Sequence, residues 1–433
     1  MAELPRFGAS DFYLIQTDPL ELREQLRSAL SELLSREVVD ADPHMVLASA
    51  FMPFLVQGQA SADAAAKATL RAFAVGADLD RIADSTCVVG YMDRLPARGA
   101  ILAALVLVTV TRPAYIDAGA VTITCSAAKE TEVDGLGITF SGAGAYTIAF
   151  SATEEAKQLA LPIYMIASVP GAQYNGLFRP QTQQPVLDAD ISVDISAKDE
   201  TGADCTCDNI SALRCGSTYN GADIESDDAF ARRVAWQAKA LRVPGSLEYF
   251  LLLLSQIRLL ASSYVSPKVD SEGRIVMAWC DKAAYYAEQG GYSLSAKGAA
   301  YDEFREAVQS SLLVEQRVMA YPAKQYSNAY AVSYKLPSST TDIYTARSAV
   351  EAAWRLYLSA RTWHCGAVLN VAEMNAVMTN AGATQVEVTS NAPDYLALPA
   401  DTMIPDHLIS LSYAGLSVDE AAPAGSDGEE ITP

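Results

Sequence analysis

Apolar positions along this chain change their period twice. From Asp18 they recur at helical spacing: Leu22, Leu26, Leu30 and Leu33 fall on one stripe, with Arg23, Glu24 and Arg27 opposite. Asp18 reads as the N-cap, Pro19 takes the first helical position and Glu21 closes a capping box. So narrow a leucine seam must bury itself against another helix. Periodicity alone favours packing inside the helix's own domain over a seam between subunits. The start signal repeats at Asp42-Pro43, and a helix is predicted through Met45, Val46, Ala50, Phe51 and Phe54, with a kink or break at Pro53. Alanine-rich residues 60–73 predict a further helix with small faces. Gly76 ends it, and residues 77–84 make a short helix with Leu79 and Ile82 inward.

From Ala100 the period becomes two. Strands are predicted at 104–112, 121–125, 137–140, 146–150 and 159–167, separated by turns such as Asp134-Gly135 and Ser141-Gly142-Ala143-Gly144. Such spacing reads as a β-sandwich or barrel-like domain, and 186–209 continue the alternation.

After Gly221 the pattern is α/β. The acidic run Glu225-Ser226-Asp227-Asp228 opens a helix with Phe230, Val234, Ala238 and Leu241 on one face, stopped by Pro244-Gly245. A second helix starts at Ser246, followed by strands at 262–268 and 274–280 around Ser271-Glu272-Gly273. A helix at 299–313 leads to a strand at 326–335. The capping stretch 338–342 opens a helix to about Ala360; a helix at 371–378 and strands at 384–389 and 407–412 follow. The resulting fold class is α+β and multidomain: an N-terminal arm (1–17), a helical bundle segment (18–99), a middle β-sandwich-like domain (100–220), C-terminal α/β domains (221–336 and 337–416) and an acidic tail (417–433) expected to be disordered.

Charge narrows the function. With 52 Asp and Glu against 31 Lys and Arg, the net charge is −21. That argues against sequence-independent nucleic-acid binding and against docking on an anionic membrane. The longest apolar run, 101–110, is too short to span a bilayer, and residues 1–10 lack the pattern of a signal peptide, so a cytoplasmic origin is expected. Seven cysteines without framework spacing read as free thiols; Cys205, Cys207 and Cys215 form the one cluster, with no histidine nearby to complete a zinc site.

Signals for catalysis are missing. His44 sits in a helix first turn, His364 adjoins Cys365 without forming a nucleophile–base pair, and His407 falls in a predicted strand. The carboxylates Asp78, Asp80 and Asp84 surround Arg81 and read as an ion-paired face. Gly142 and Gly144 carry no phosphate fingerprint, and the acids between Asp188 and Asp208 form no calcium loop. Trp354, Tyr357 and Leu358 read as core. A non-enzymatic protein with no metal and no cofactor is expected.

Several blocks occur in a suggestive order: Gly76-Ala77-Asp78-Leu79-Asp80-Arg81-Ile82-Ala83, then 134–140, then 223–233, Val243-Pro244-Gly245-Ser246, Tyr249 and Gly273-Arg274-Ile275-Val276. In order and spacing they resemble the baseplate J family of contractile phage tails and related injection machines, over roughly residues 15 to 415. The pattern departs from the family after Asn175-Gly176, where Leu177-Phe178-Arg179-Pro180 stand instead of a glycine-rich turn. The resemblance implies a baseplate wedge component of a phage tail, tailocin or contractile injection system, assembled in the bacterial cytoplasm. It would form a ring around the hub and spike and couple baseplate rearrangement to sheath contraction. Implied partners are a second copy of the chain, a smaller wedge protein of the tail protein I type, a sheath-initiating or lysozyme-like baseplate protein, hub and spike proteins, and a tail fibre or its adaptor. Neither nucleic acid nor membrane is implied. Leu22, Leu26, Leu30 and Leu33 would then build a bundle shared between chains. The alternative is a receptor-binding or fibre-attachment protein of the same particle.

Overall fold

The structure is a computed structural model. It describes residues 14–15, 18–70, 73–86, 93–112, 119–180, 182–240, 246–254, 257–292, 294, 299–312, 317–388 and 393–417. The predicted arm, apart from 14–15, and the acidic tail beyond 417 lie outside these residues. The fold is α+β, with helices, one large antiparallel sheet and several small sheets. The chain forms two compact units, residues 1–96 with 224–252 and residues 97–223 with 253–433.

The first unit contains α1 (Pro19–Leu34), α2 (Pro43–Ala68), α3 (Gly76–Thr86), α4 (Asp227–Ala240) and the start of α5 (Leu247–Leu254). Asp18 caps α1 by accepting the Leu20 N–H at 2.9 Å, and Ser35 closes it in the left-handed conformation. Of the kink or break predicted at Pro53, helix α2 corrects the break: it runs continuously through Pro53 into the alanine-rich stretch. A proline forfeits its own backbone bond, and an exposed position leaves room for the ring. At 26 residues α2 is, by length and composition, long and apolar enough to cross a membrane. Splitting it at Pro53 hid this from the sequence reading.

Helices α3 and α4 pack through Ala74, Leu79, Ala83, Phe230, Ala231 and Val234. Two guanidinium groups lie over the Phe230 ring, Arg94 at 5.0 Å and Arg233 at 5.1 Å. Arg94 ties Asp80 of α3 (2.7 Å) to Asp227 of α4 (2.6 Å). Arg233 pairs with Glu225 (2.6 Å), which also accepts the Leu95 N–H at 3.0 Å. The acidic run before α4 therefore serves as ion-pair partners as well as a cap, and Asp78 pairs with Arg81 at 2.9 Å.

In the second unit, β1 (Gly99–Thr111), β2 (Gly119–Val133), β3 (Leu136–Phe150), β4 (Ala156–Pro170), β5 (Val186–Leu187), β6 (Ile191–Asp199), β7 (Asp204–Cys205) and β8 (Cys207–Arg214) form one sheet, ordered β5-β8-β1-β4-β3-β2-β6-β7. Strands β6 and β8, near opposite edges, approach each other, so the sheet curls around a core that includes Leu102, Val106, Ile123, Phe140 and Leu161. The predicted turn at Ser141–Gly144 is the middle of β3. Its glycines answer to packing: a Cβ on Gly142 would stand 2.3 Å from the Tyr164 carbonyl oxygen of β4, and one on Gly144 would strike the Tyr146 ring at 2.9 Å.

Beyond the sheet, β9 (Ser262–Val269), β10 (Ile275–Cys280) and β11 (Val318–Pro322) form a three-stranded sheet in order β11-β10-β9, accompanied by α6 (Lys282–Gln289) and α7 (Ala299–Ser311). Helix α6 packs on β1 and β4. This explains why β1 is apolar on both faces, one turned to the curled core and the other covered. Strand β12 (Lys324–Gln325) pairs with a later strand, while β13 (Tyr330–Leu336) is the centre of a second three-stranded sheet. Helix α8 (Ile343–Ser359), capped by Asp342, buries Val350, Trp354, Tyr357 and Leu358 in the core that holds Tyr330, Val332 and Tyr334, as the periodicity predicts. Then come β14 (Val368–Asn370), α9 (Val371–Asn380), β15 (Gln385–Val388), β16 (Tyr395–Ala397), β17 (Thr402–Met403) and β18 (Ile409–Leu416). Strand β12 pairs with β17, β14 with β16, and β13 lies between β15 and β18. His407 belongs to a 3-10 turn, Asp406–Leu408, and not to the predicted strand, which begins at Ile409.

Candidate partner interface

Helices α1 and α2 pack against each other. No side chain of α1 is fully buried. Of the predicted seam, Leu22, Leu26 and Leu30 are half-buried, whereas Leu33 is 79% exposed. Leu34 is the half-buried leucine of the last turn.

Polar contacts hold α2 at both ends. Asp42 caps it, accepting the His44 N–H at 3.0 Å and pairing with Arg36 at 2.6 Å. The bonds from His44, reinforced by Arg36, hold the Asp42 carboxyl down at about 2. Near the far end Asp63 and Lys67 pair at 2.8 Å with little exposure, and Asp63 also accepts the backbone N–H groups of Leu14 (2.7 Å) and Ile15 (3.0 Å).

Between these fastenings α2 presents an apolar face. Val46, Leu47, Phe51, Phe54 and Leu55 are 60%, 65%, 58%, 71% and 45% exposed. At about 100° per residue they share one side of the helix with Ala50, Gly58, Ala62 and Ala65, and no charged residue interrupts it. Exposed apolar faces of this extent are commonly interaction surfaces. Sequence reasoning put Val46, Phe51 and Phe54 on a helix and made no statement of their exposure. Periodicity shows that a face exists and cannot show that none of the described residues covers it.

A second constellation, in the other unit, is polar and buried. Lys282 Nζ, 1% exposed as a residue, donates to the Ser217 carbonyl (2.8 Å) and hydroxyl (3.1 Å) and lies over the rings of Tyr219 and Trp363. Asp406, also 1% exposed, accepts the Ser217 N–H (3.1 Å) and the Tyr286 hydroxyl (3.3 Å). Burial pushes Lys282 down to about 8, opposed by the charge of Asp406. Beside it Asp281 caps α6, accepting the Ala283 N–H at 3.0 Å and the Tyr164 hydroxyl at 2.7 Å. These residues come from five distant stretches, and only the Asp-Lys pair following the apolar strand 275–280 hinted at them.

Asp281 supplies a pH signature. Burial raises its carboxyl from 3.8 to about 6. Between those values the folded chain holds a proton that the unfolded chain has released. The contribution of Asp281 to stability is therefore full below the lower value and lost as pH rises through the upper one. Asp281→Asn, which keeps the acceptor for Ala283, is expected to flatten this part of the profile. The check is a comparison of denaturation midpoints for both chains from pH 4 to 7; parallel curves would refute the assignment.

Nothing in this network resembles a nucleophile and its base. Burial raises the Cys365 thiol and lowers the His364 imidazole, the opposite of a thiolate–imidazolium pair. Burial also raises Cys205, Cys207 and Cys215. Among the described residues no group of three His, Cys, Asp or Glu side chains converges as a metal site. Compared with known proteins, this chain matches no family model and no curated sequence.

Proposed function

We propose that this chain is a structural wedge component of the baseplate of a contractile tail or contractile injection system. The observation that carries the assembly part is the uncharged apolar face of α2, held in place by Asp42 and the Asp63–Lys67 pair. A helix pair with such an exposed face gains by completing a bundle with helices of other chains. The choice of a baseplate wedge rests on the order and spacing of the blocks shared in pattern with baseplate J proteins. In this reading two copies join one smaller wedge protein through α1 and α2, and the second unit takes part in the ring around the hub. The work is mechanical: the ring holds the hub before firing, then rearranges and lets the sheath contract.

Co-expression with a smaller wedge protein encoded beside it tests this reading. A stable complex of the two proteins, dependent on residues 18–70, supports it. Separate elution of the two proteins at micromolar concentration rejects it. A second reading, insertion of α2 into a bilayer, is favoured by its length and composition. Flotation of the full chain with neutral lipid vesicles separates the two: the assembly reading requires the chain to stay behind.

A further inference from the structure

The second unit encloses a cavity of about 740 Å³ between the 176–180 loop, α8 and β18. That volume falls within the roughly 300–1,000 Å³ of pockets that hold small molecules. We propose that this cavity binds a small organic anion through a carboxylate or phosphate group, with Arg179 and Arg355 as its principal contacts.

Three guanidinium groups line the cavity in a chain of net charge −21. Arg347 is committed, paired with Glu351 at 3.2 Å and lying over the Tyr413 ring. Arg179 and Arg355 are not: among the described residues neither has a carboxylate within ion-pair distance. Their heads are oriented instead by backbone carbonyls. Arg179 Nη2 donates to the carbonyls of Asp406 and Ile409, the latter at 2.7 Å, and Arg355 Nη2 reaches the Gln173 carbonyl at 3.4 Å. Carbonyls fix a guanidinium in direction without neutralising it. In both residues Nε is buried and lacks a hydrogen-bond partner.

The unmet polar atoms gather here. Among the described residues ten buried side-chain nitrogens and oxygens have no partner, and five belong to residues lining this cavity: Nε of Arg179 and of Arg355, Nε1 of Trp354, and both ring nitrogens of His407. Buried polar groups are ordinarily satisfied, so a concentration of exceptions around one void points to a missing partner. Burial also lowers both arginines and His407 from their ordinary values, the mark of groups desolvated without enough compensation. The acids nearby offset this only in part. Glu351 serves Arg347 and the Tyr334 hydroxyl, while Asp406, which accepts from Ser217 and Tyr286, and Asp134 act on Arg179 and Arg355 respectively through their charge alone, and burial still outweighs them. An oxyanion would supply both the charge and the acceptors, and arginine forks suit the planar or tetrahedral oxygens of these groups.

The proposal stands apart from the assembly reading, and its test needs only the full-length chain. Inorganic phosphate and citrate are titrated separately, against chloride at matched ionic strength, by calorimetry and by thermal unfolding. Saturable binding of either anion at millimolar concentration, with a raised unfolding temperature, is expected; chloride should do neither. Tighter phosphate assigns a phosphate-bearing ligand, tighter citrate a carboxylate. Arg355→Gln is expected to weaken binding by about tenfold or more. Should that variant fold poorly, Arg355→Lys, which keeps charge and stem but loses the fork, should give an intermediate affinity. Absence of binding to the wild-type chain, or binding undiminished by either variant, overturns the proposal.

Discussion

Phe51→Asp with Phe54→Asp is expected to abolish association of this chain with the wedge partner proposed for it and leave the chain folded. The two rings are 58% and 71% exposed on the apolar face of α2. Covering such a side chain is worth roughly 1.5–3 kcal/mol when complete. Each aspartate also brings a charge into the contact, where it must be desolvated. Together the changes should cost at least about 4 kcal/mol of association, or about a thousandfold in Kd. In the free chain both carboxylates stand largely in water, so stability should move by only about 0.5 kcal/mol per site. Sedimentation velocity of the co-expressed proteins reads association, and far-UV circular dichroism reads helix content. A double variant that assembles like wild type would remove α2 as the interface. A change that also unfolded the chain would instead show that the face is covered within the chain itself.

Asp406→Ala is expected to be among the most damaging single substitutions in the second unit. It removes the acceptor for the Ser217 N–H and the Tyr286 hydroxyl and leaves Lys282 buried without the carboxylate charge that opposes its desolvation. Breaking such a buried arrangement by deleting one member costs about 3–5 kcal/mol. The corresponding fall in the unit's unfolding temperature is on the order of 10 °C. Asp406→Asn retains one acceptor oxygen and loses the charge, so it should fall between wild type and alanine. Differential scanning calorimetry decides the matter. If the alanine variant melts within a degree or two of wild type, Lys282 is balanced by something other than Asp406.

Local signals carried much of the helical architecture. Asp18, Asp42 and Asp342 each cap the helix that follows, because a short acceptor before an apolar-periodic run satisfies the first free N–H groups wherever the helix later packs. Phe230 and Val234 are buried, and Trp354, Tyr357 and Leu358 are core, because a helix has one period and one inward face. The acidic run 225–228 announced its helix for the same local reason. What depends on chain neighbours three or four residues away is legible from those neighbours.

The rest was decided by parts of the chain distant in sequence. Pro53 lies within a continuous helix because its ring meets open space, a fact about surroundings that composition does not carry. Gly142 reads as a turn residue, yet its small size is required by the backbone of Tyr164 on the neighbouring strand. Helical periodicity in α2 leaves open whether its apolar side is buried, and among the described residues that side is exposed, since burial depends on what is available to cover it. Arg179, Ser217, Lys282 and Asp406 are scattered over more than two hundred positions, and only tertiary folding brings their charges within reach of one another. Helix caps and faces are short-range physics and belong to the sequence alone. Exposed faces, buried charges and the cavity beside Arg355 arise from long-range packing, and the tertiary structure alone determines them.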